Sequence, residues 1–137
     1  MDLVKIEIEQ IANSGDARGG SFPVDPSRFG SPFPIHDMHI STLLPGHIRG
    51  DHYHVKRNEI LIVSPGVRWT LFFDAGPDTV PEKLEFDGST AVVMSVPPLV
   101  SHAIRNDGDG ALHIIGLTDG PYDPTAPDAF TRKVTSQ

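Results

Sequence analysis

Gly50-Asp51-His52-Tyr53-His54-Val55-Lys56-Arg57-Asn58-Glu59-Ile60-Leu61-Ile62-Val63 carries two histidines either side of a tyrosine, then a glutamate that opens an apolar run. On a β-strand successive side chains alternate between faces, so His52 and His54 point one way and Tyr53 the other. On a helix the same pair would stand about 200° apart, which defeats chelation. Lys56-Arg57-Asn58 is polar, and Ile60-Leu61-Ile62-Val63 is apolar and mostly β-branched. The chain is therefore expected to turn after His54 and return as the partner strand of a hairpin beginning at Glu59, bringing the carboxylate beside the imidazoles. With His102 on a later strand, three imidazoles and one carboxylate are spaced so that they could hold one metal ion.

The rest of the chain reads as further short strands. Residues 3–11 alternate apolar and polar, and residues 35–44 form the next strand, closed by Pro45-Gly46. Val67, Trp69, Leu71 and Phe73 share one strand face, the expected core face. Lys83-Leu84-Glu85-Phe86 runs into Asp87-Gly88, a hairpin signal, and then into the buried strand Ala91-Val92-Val93-Met94-Ser95-Val96. Residues 102–106 and 111–117 flank the turn Asp107-Gly108-Asp109-Gly110. Residues 14–34, rich in Gly, Ser, Pro and Asp, read as a long irregular loop, and the Pro- and Asp-rich tail 120–137 holds at most a short helix near residues 128–134. No long 3.6-residue apolar period occurs, which favours an all-β sandwich or barrel over any helical class. Residues 1–137 are read as a single domain.

Composition narrows the function classes. The chain has no cysteine, which excludes disulfides, thiolate metal sites and cysteine nucleophiles. Its 18 acidic and 11 basic residues give a formal charge of −7, which argues against nucleic acid or an anionic membrane surface as partner. The first residues lack the apolar segment of a signal peptide, and no apolar run approaches membrane-spanning length, so a cytoplasmic protein is expected.

Gly46, five residues, His52-Tyr53-His54, four residues, Glu59, six residues and Gly66 together match the first motif of the cupin family without a departure. Pro97, His102 and Asn106 resemble its second motif, except that Leu99 stands where the family has a glycine and Gly88 lies further upstream than usual. The resemblance covers residues 35–117 and implies an all-β cupin fold, a jelly-roll-like antiparallel barrel or double-stranded β-helix. It also implies that His52, His54, Glu59 and His102 ligate a divalent transition metal such as zinc, iron, nickel or manganese. A side chain at position 99 is expected to strain the turn that places His102.

A narrower resemblance covers the flanks. Arg49-Gly50 before the histidines and Asn58 before the glutamate are similar to the C-terminal cupin domain of capsular-polysaccharide UDP-sugar epimerase/reductases, as is the run from Tyr122-Asp123-Pro124 to Pro127-Asp128. That family epimerises a nucleotide-linked keto sugar at the metal before a separate reductase domain acts. This chain shows no Gly-rich dinucleotide fingerprint for the second step. The resemblance implies an epimerase or isomerase that abstracts a proton next to a carbonyl, with a nucleotide sugar as ligand and Arg49 at its diphosphate. Regular alternation puts Arg49 on the face opposite His52 unless Gly50 marks a bulge. The general base is not identified: His39, His47 and His113 are candidates, and Tyr53 should face away from the ligands. Metal-free sugar ketoisomerases of this fold use a histidine near this position as base, an iron-dependent dioxygenase would suit the same ligands, and a non-catalytic binding barrel would suit the same fold. By analogy with other cupins, a homodimer paired through the edge strand at 3–11 is expected.

Overall fold

The alternating runs fold as strands, ten of them among the residues that the computed structural model describes, 6–25, 34–121 and 123–136. They are β1 (Glu7–Ile11), β2 (Asp37–Leu43), β3 (Ile48–Tyr53), β4 (Glu59–Val63), β5 (Trp69–Phe73), β6 (Glu82–Phe86), β7 (Ala91–Val96), β8 (His102–Asn106), β9 (Leu112–Thr118) and β10 (Phe130–Thr131). Two five-stranded sheets result, ordered β1-β7-β4-β9-β2 and β10-β3-β8-β5-β6, with antiparallel pairing throughout. This is the all-β jelly-roll arrangement that the cupin motifs imply. No helix among the described residues is long and apolar enough to cross a membrane.

Pairing corrects the expected hairpins. From β2 onward only the β5–β6 connection stays within one sheet, and every other connection crosses to the opposite one. Glu59 therefore does not return beside His52 on a partner strand. β3 pairs with β8 and β10, whereas β4 pairs with β7 and β9. The physical reason lies in the connector. The amides of Val55, Lys56 and Arg57 are taken by the Asp128 carboxylate and that of Asn58 by Asp119, so side chains satisfy the donors that a hairpin ladder would use. The Asp87-Gly88 turn likewise joins strands of different sheets. The carboxylate still meets the imidazoles, but across the barrel interior.

Alternation then decides what each face buries. Leu61 and Val63 of β4 meet Trp69 and Leu71 of β5, Met94 and Val96 of β7, and Ile104 of β8 in the core between the sheets. Trp69 stacks on Phe86 with ring centroids 4.4 Å apart. The intervening Ile60 and Ile62 face outward and pack with Val93, Leu117, Ile115, Ile11 and Val24. That second layer explains why β4 is apolar at successive positions instead of alternating. Val24 belongs to the segment read as irregular, whose residues 26–33 lie outside the described residues, as do residues 3–5 of the expected first strand. The short helix expected near 128–134 is not formed. Phe130 and Thr131 pair with Tyr53 and His52 as β10, so the β3 edge captures backbone groups that a helix would bond internally.

One irregularity positions the site. Gly50 pairs with Ala103 and His52 with His102, leaving Asp51 as the extra residue of a β-bulge at φ 57°. Asp51 tolerates this left-handed conformation and turns its carboxylate to the amides of Val134 and Thr135, at 2.8 and 3.1 Å. Gly50 itself has φ 116°, and a Cβ there would lie 2.7 Å from the Ala103 Cα and closer still to the His102 carbonyl. Gly50→Ala should therefore lower unfolding stability by at least about 3 kcal/mol in urea denaturation, because the clash is with backbone and the φ is a glycine φ.

Candidate metal centre

The bulge restores a common parity for residues that strict alternation separates. Arg49 and His52 both line the interior, with His39, Ser41, Ile48, Glu59, Leu61, His102, Ile104 and Ile114, around a cavity of about 540 Å³. Ligand pockets typically fall in this size range. Tyr53 faces the other way, stacked on Phe130 at 5.6 Å and covered by the Arg132 guanidinium 4.4 Å above its ring. Arg49 directs Nε and Nη2 to the single carbonyl of Thr42, at 3.4 and 3.3 Å, and so bridges from one sheet to the other.

The four expected ligands converge. One donor atom from each of His52, His54, Glu59 and His102 lies within 4.8 Å of the others. His52 and His102 face each other across the β3–β8 pair with ring centroids 4.9 Å apart, and His52 and His54 are 5.2 Å apart. Glu59 reaches in from the opposite sheet, its Oε1 3.2 Å from His102 Nε2 and 3.7 Å from His54 Nε2. All but His52 are fully buried.

Backbone carbonyls fix the tautomers. His54 Nδ1 lies 2.5 Å from the Asp128 carbonyl and His102 Nδ1 3.2 Å from the Val100 carbonyl. A carbonyl can only accept, so both Nδ1 atoms donate, and in neutral rings both Nε2 lone pairs then face the Glu59 carboxylate. Lone pairs opposed in a dry interior call for a cation between them, a proton or a metal ion. His54 Nε2 is also a buried nitrogen without a hydrogen-bond partner. The donor set of imidazole nitrogens and one carboxylate, each ring oriented through its second nitrogen, fits a divalent transition metal.

Electrostatics agree. Burial, reinforced by the neighbouring His102 and His54, pushes the His52 imidazole down to about 4, so its nitrogens stay available to a metal through neutral pH. Burial alone would raise the Glu59 carboxyl, but His102 and His54 outweigh it and hold it well below the usual carboxylate range. Burial alone would lower His54, and the Glu59 charge with the Asp128 carbonyl outweighs it and raises that ring instead.

Sequence reading missed the groups that hold the ligands in place. Leu99 adopts the left-handed conformation of the family glycine, φ 73°, and the strain is tolerated because both sides of the turn are tied. Its N–H donates to the His54 carbonyl at 2.6 Å, and its own carbonyl accepts from Arg132, which also grips the buried Asp74 through two bonds of 2.7 and 3.0 Å. Asp74 in turn accepts the Ser101 N–H at 2.9 Å, next to His102. Asp128 gathers the amides of residues 55–57 at 2.8–3.0 Å while its carbonyl holds His54. Asp128 was visible in the sequence, but not its targets, which lie 71 to 73 residues away. Of the three candidate bases, His39 lines the cavity, His47 is exposed outside it, and His113 lies on the outer face of β9 beside Ile62 and Ile115.

Residues 35–130 match the family described as polysaccharide biosynthesis C-terminal domain, and the chain belongs to that family. No curated protein matches it. Among solved structures it is similar to the capsular polysaccharide assembling protein CapF of Staphylococcus aureus, with 24% identity and a TM-score of 0.66 over 90% of this chain and 34% of CapF. It is also similar to QdtA, a sugar 3,4-ketoisomerase from Thermoanaerobacterium thermosaccharolyticum in complex with TDP, with 22% identity and a TM-score of 0.68 over 91% and 86% of the two chains. ChmJ, a 3'-monoepimerase from Streptomyces bikiniensis in complex with dTDP-quinovose, gives 17% identity and a TM-score of 0.74 over 92% and 68%. At these identities the likeness is one of fold, and the chain spans about a third of CapF.

The Asp128 carboxyl can be tested by pH. Burial acts to raise it, but the amides of Val55, Lys56 and Arg57 outweigh burial and hold it below its ordinary 3.8. A depressed carboxyl stabilises fully above its unfolded value and loses that contribution as pH falls through its folded value. Asp128→Asn, which keeps the backbone carbonyl on His54, should cost about 2 kcal/mol at neutral pH. In urea unfolding the gap from the parent should hold steady down to 3.8 and close below it.

Proposed function

We propose that this chain, as a member of the polysaccharide biosynthesis C-terminal domain family, is a metal-dependent epimerase or isomerase acting on a nucleotide-linked keto sugar. The observation that carries the reading is the opposition of His54 Nε2 and His102 Nε2 to the Glu59 carboxylate inside a cavity that Arg49 also lines. His52, His54, Glu59 and His102 would hold the ion. When bound, it supplies a Lewis acid that stabilises negative charge on the oxygen of a carbonyl whose neighbouring carbon loses a proton. Relatives of this fold crystallised with TDP and with dTDP-quinovose support a nucleotide sugar as the ligand class.

The chain's own residues divide the remaining work. Arg49, whose bonds to Thr42 are long and lead to one carbonyl, is placed to turn its fork onto a diphosphate. Leu61, Ile104 and Ile114 give the cavity a dry wall, which strengthens every charge interaction within it. β1 ends one sheet and offers its outer edge to a second copy, so the protein is proposed to work as a homodimer. Light scattering that finds only monomer would reject that part.

Incubation of the metal-loaded protein with a TDP-4-keto-6-deoxy sugar should yield an epimer or a positional keto isomer by NMR, and removing the metal should abolish it. Arg49→Ala should raise KM about 10- to 100-fold with a smaller effect on kcat. Metal-loaded protein that binds the sugar without converting it would instead support a binding barrel. Oxygen uptake by the iron-loaded form would support a dioxygenase.

A further inference from the structure

Resting on the keto-sugar reading, we propose that His39 is the general base that removes the proton next to the carbonyl. Elimination among the cavity's side chains leaves this one. An imidazole that ligates a metal through Nε2 and donates from Nδ1 to a backbone carbonyl has no nitrogen left to take a proton, which disposes of His54 and His102. His52 and Glu59 complete the same ligand set. A guanidinium has only donors and a serine hydroxyl is a poor base, so neither Arg49 nor Ser41 can serve. Among the described residues lining the cavity, only His39 remains as a side chain of the kind that carries protons near neutral pH. The other histidines are elsewhere: His113 faces outward, and His36 and His47 do not line the cavity.

The sheet gives His39 a seat. His39 of β2 pairs with Gly116 of β9, which pairs with Leu61 of β4. A side chain at position 116 would fill the imidazole's space. A Cβ there would lie 2.7 Å from His39 Nε2 and closer still to Cε1. Glycine at 116 lets the ring lie against the β9 backbone beside the cavity that it lines. Glu59 shares its register row with Thr118 and Asp37, two residues from the Leu61-Gly116-His39 row. Two strand spacings of about 4.8 Å and one two-residue step of about 6.7 Å put the Cα atoms of His39 and Glu59 about 12 Å apart. Both side chains can therefore reach one sugar ring lying between them.

The step balances within the molecule and its substrate. The C–H bond next to the carbonyl breaks, its electron pair enters the enolate, and the proton passes to the His39 imidazole. Returning a proton to carbon restores the ketone, and no oxidant or reductant is needed.

The test is solvent deuterium exchange. Metal-loaded wild type, His39→Gln and His39→Ala are incubated in D₂O with the TDP-4-keto-6-deoxy sugar, following isotope at the carbons beside the carbonyl by NMR. The wild type should exchange. His39→Gln should lose about 10²- to 10⁴-fold in rate while retaining metal content, melting temperature and affinity for the sugar nucleotide. Added imidazole should partly restore His39→Ala, which a merely structural role would not allow. Gly116→Ala, by pushing the ring off its seat, should slow exchange without loss of metal. Exchange in His39→Gln at the wild-type rate would overturn the assignment of the base and leave the keto-sugar reading standing. A wild type that binds the sugar nucleotide but exchanges nothing would overturn both.

Discussion

The structure turns on one buried carboxylate. Glu59 enters the barrel from one sheet and faces imidazole nitrogens presented by the other, and backbone carbonyls behind His54 and His102 keep both rings from turning their N–H groups toward it. In water such an arrangement would relax by rotation of the rings. Here the rotation would leave each backbone carbonyl without the N–H it accepts from. The conflict is thus built in, and a cation at the centre, a proton or a metal ion, would resolve it. A cavity with an arginine and a further histidine on its walls opens onto the same point.

Keeping that geometry requires more than the four side chains. The C-terminal segment runs along the β3 edge and holds every loop that delivers a ligand. Asp128 ties down residues 55–57 after His54, Arg132 and Asp74 tie the Leu99 turn before His102, and Asp51 of the bulge accepts the amides of Val134 and Thr135. These are long-range bonds to charged groups, and those of Arg57, Asp74, Val134 and Thr135 are half-buried, where a charged hydrogen bond is worth most. The same belt explains how a leucine survives at φ 73°. A local preference worth 1–2 kcal/mol, roughly, is overruled when both peptide groups of the turn are engaged.

Much of this was legible in the sequence because it depends on period and spacing. Two-residue alternation placed His52 and His54 together and Tyr53 apart, and the apolar face of Trp69 and Leu71 read directly as core. The convergence of His52, His54, Glu59 and His102 was likewise readable from motif spacing. Sheet assignment was not. Asp87-Gly88 and the polar residues 56–58 carry real turn chemistry, but turn chemistry says where a chain reverses and not which sheet it enters. The tail failed for a related reason: Asp128 and Arg132 act on groups far away in sequence, which no local pattern encodes. The bulge was an intermediate case, since Gly50 marked the place while the extra residue proved to be Asp51.

Everything proposed of this site depends on a cation between Glu59 and the imidazoles. Metal analysis combined with X-ray absorption, on protein exposed to zinc, nickel, manganese and iron and then freed of loosely bound ions, tests it most directly. It should find about one divalent ion per chain in a shell of nitrogen and oxygen ligands, and Glu59→Gln should sharply weaken the binding. A folded protein that takes up none of these ions, with His54 and His102 carrying protons on both ring nitrogens by nitrogen NMR, would contradict it.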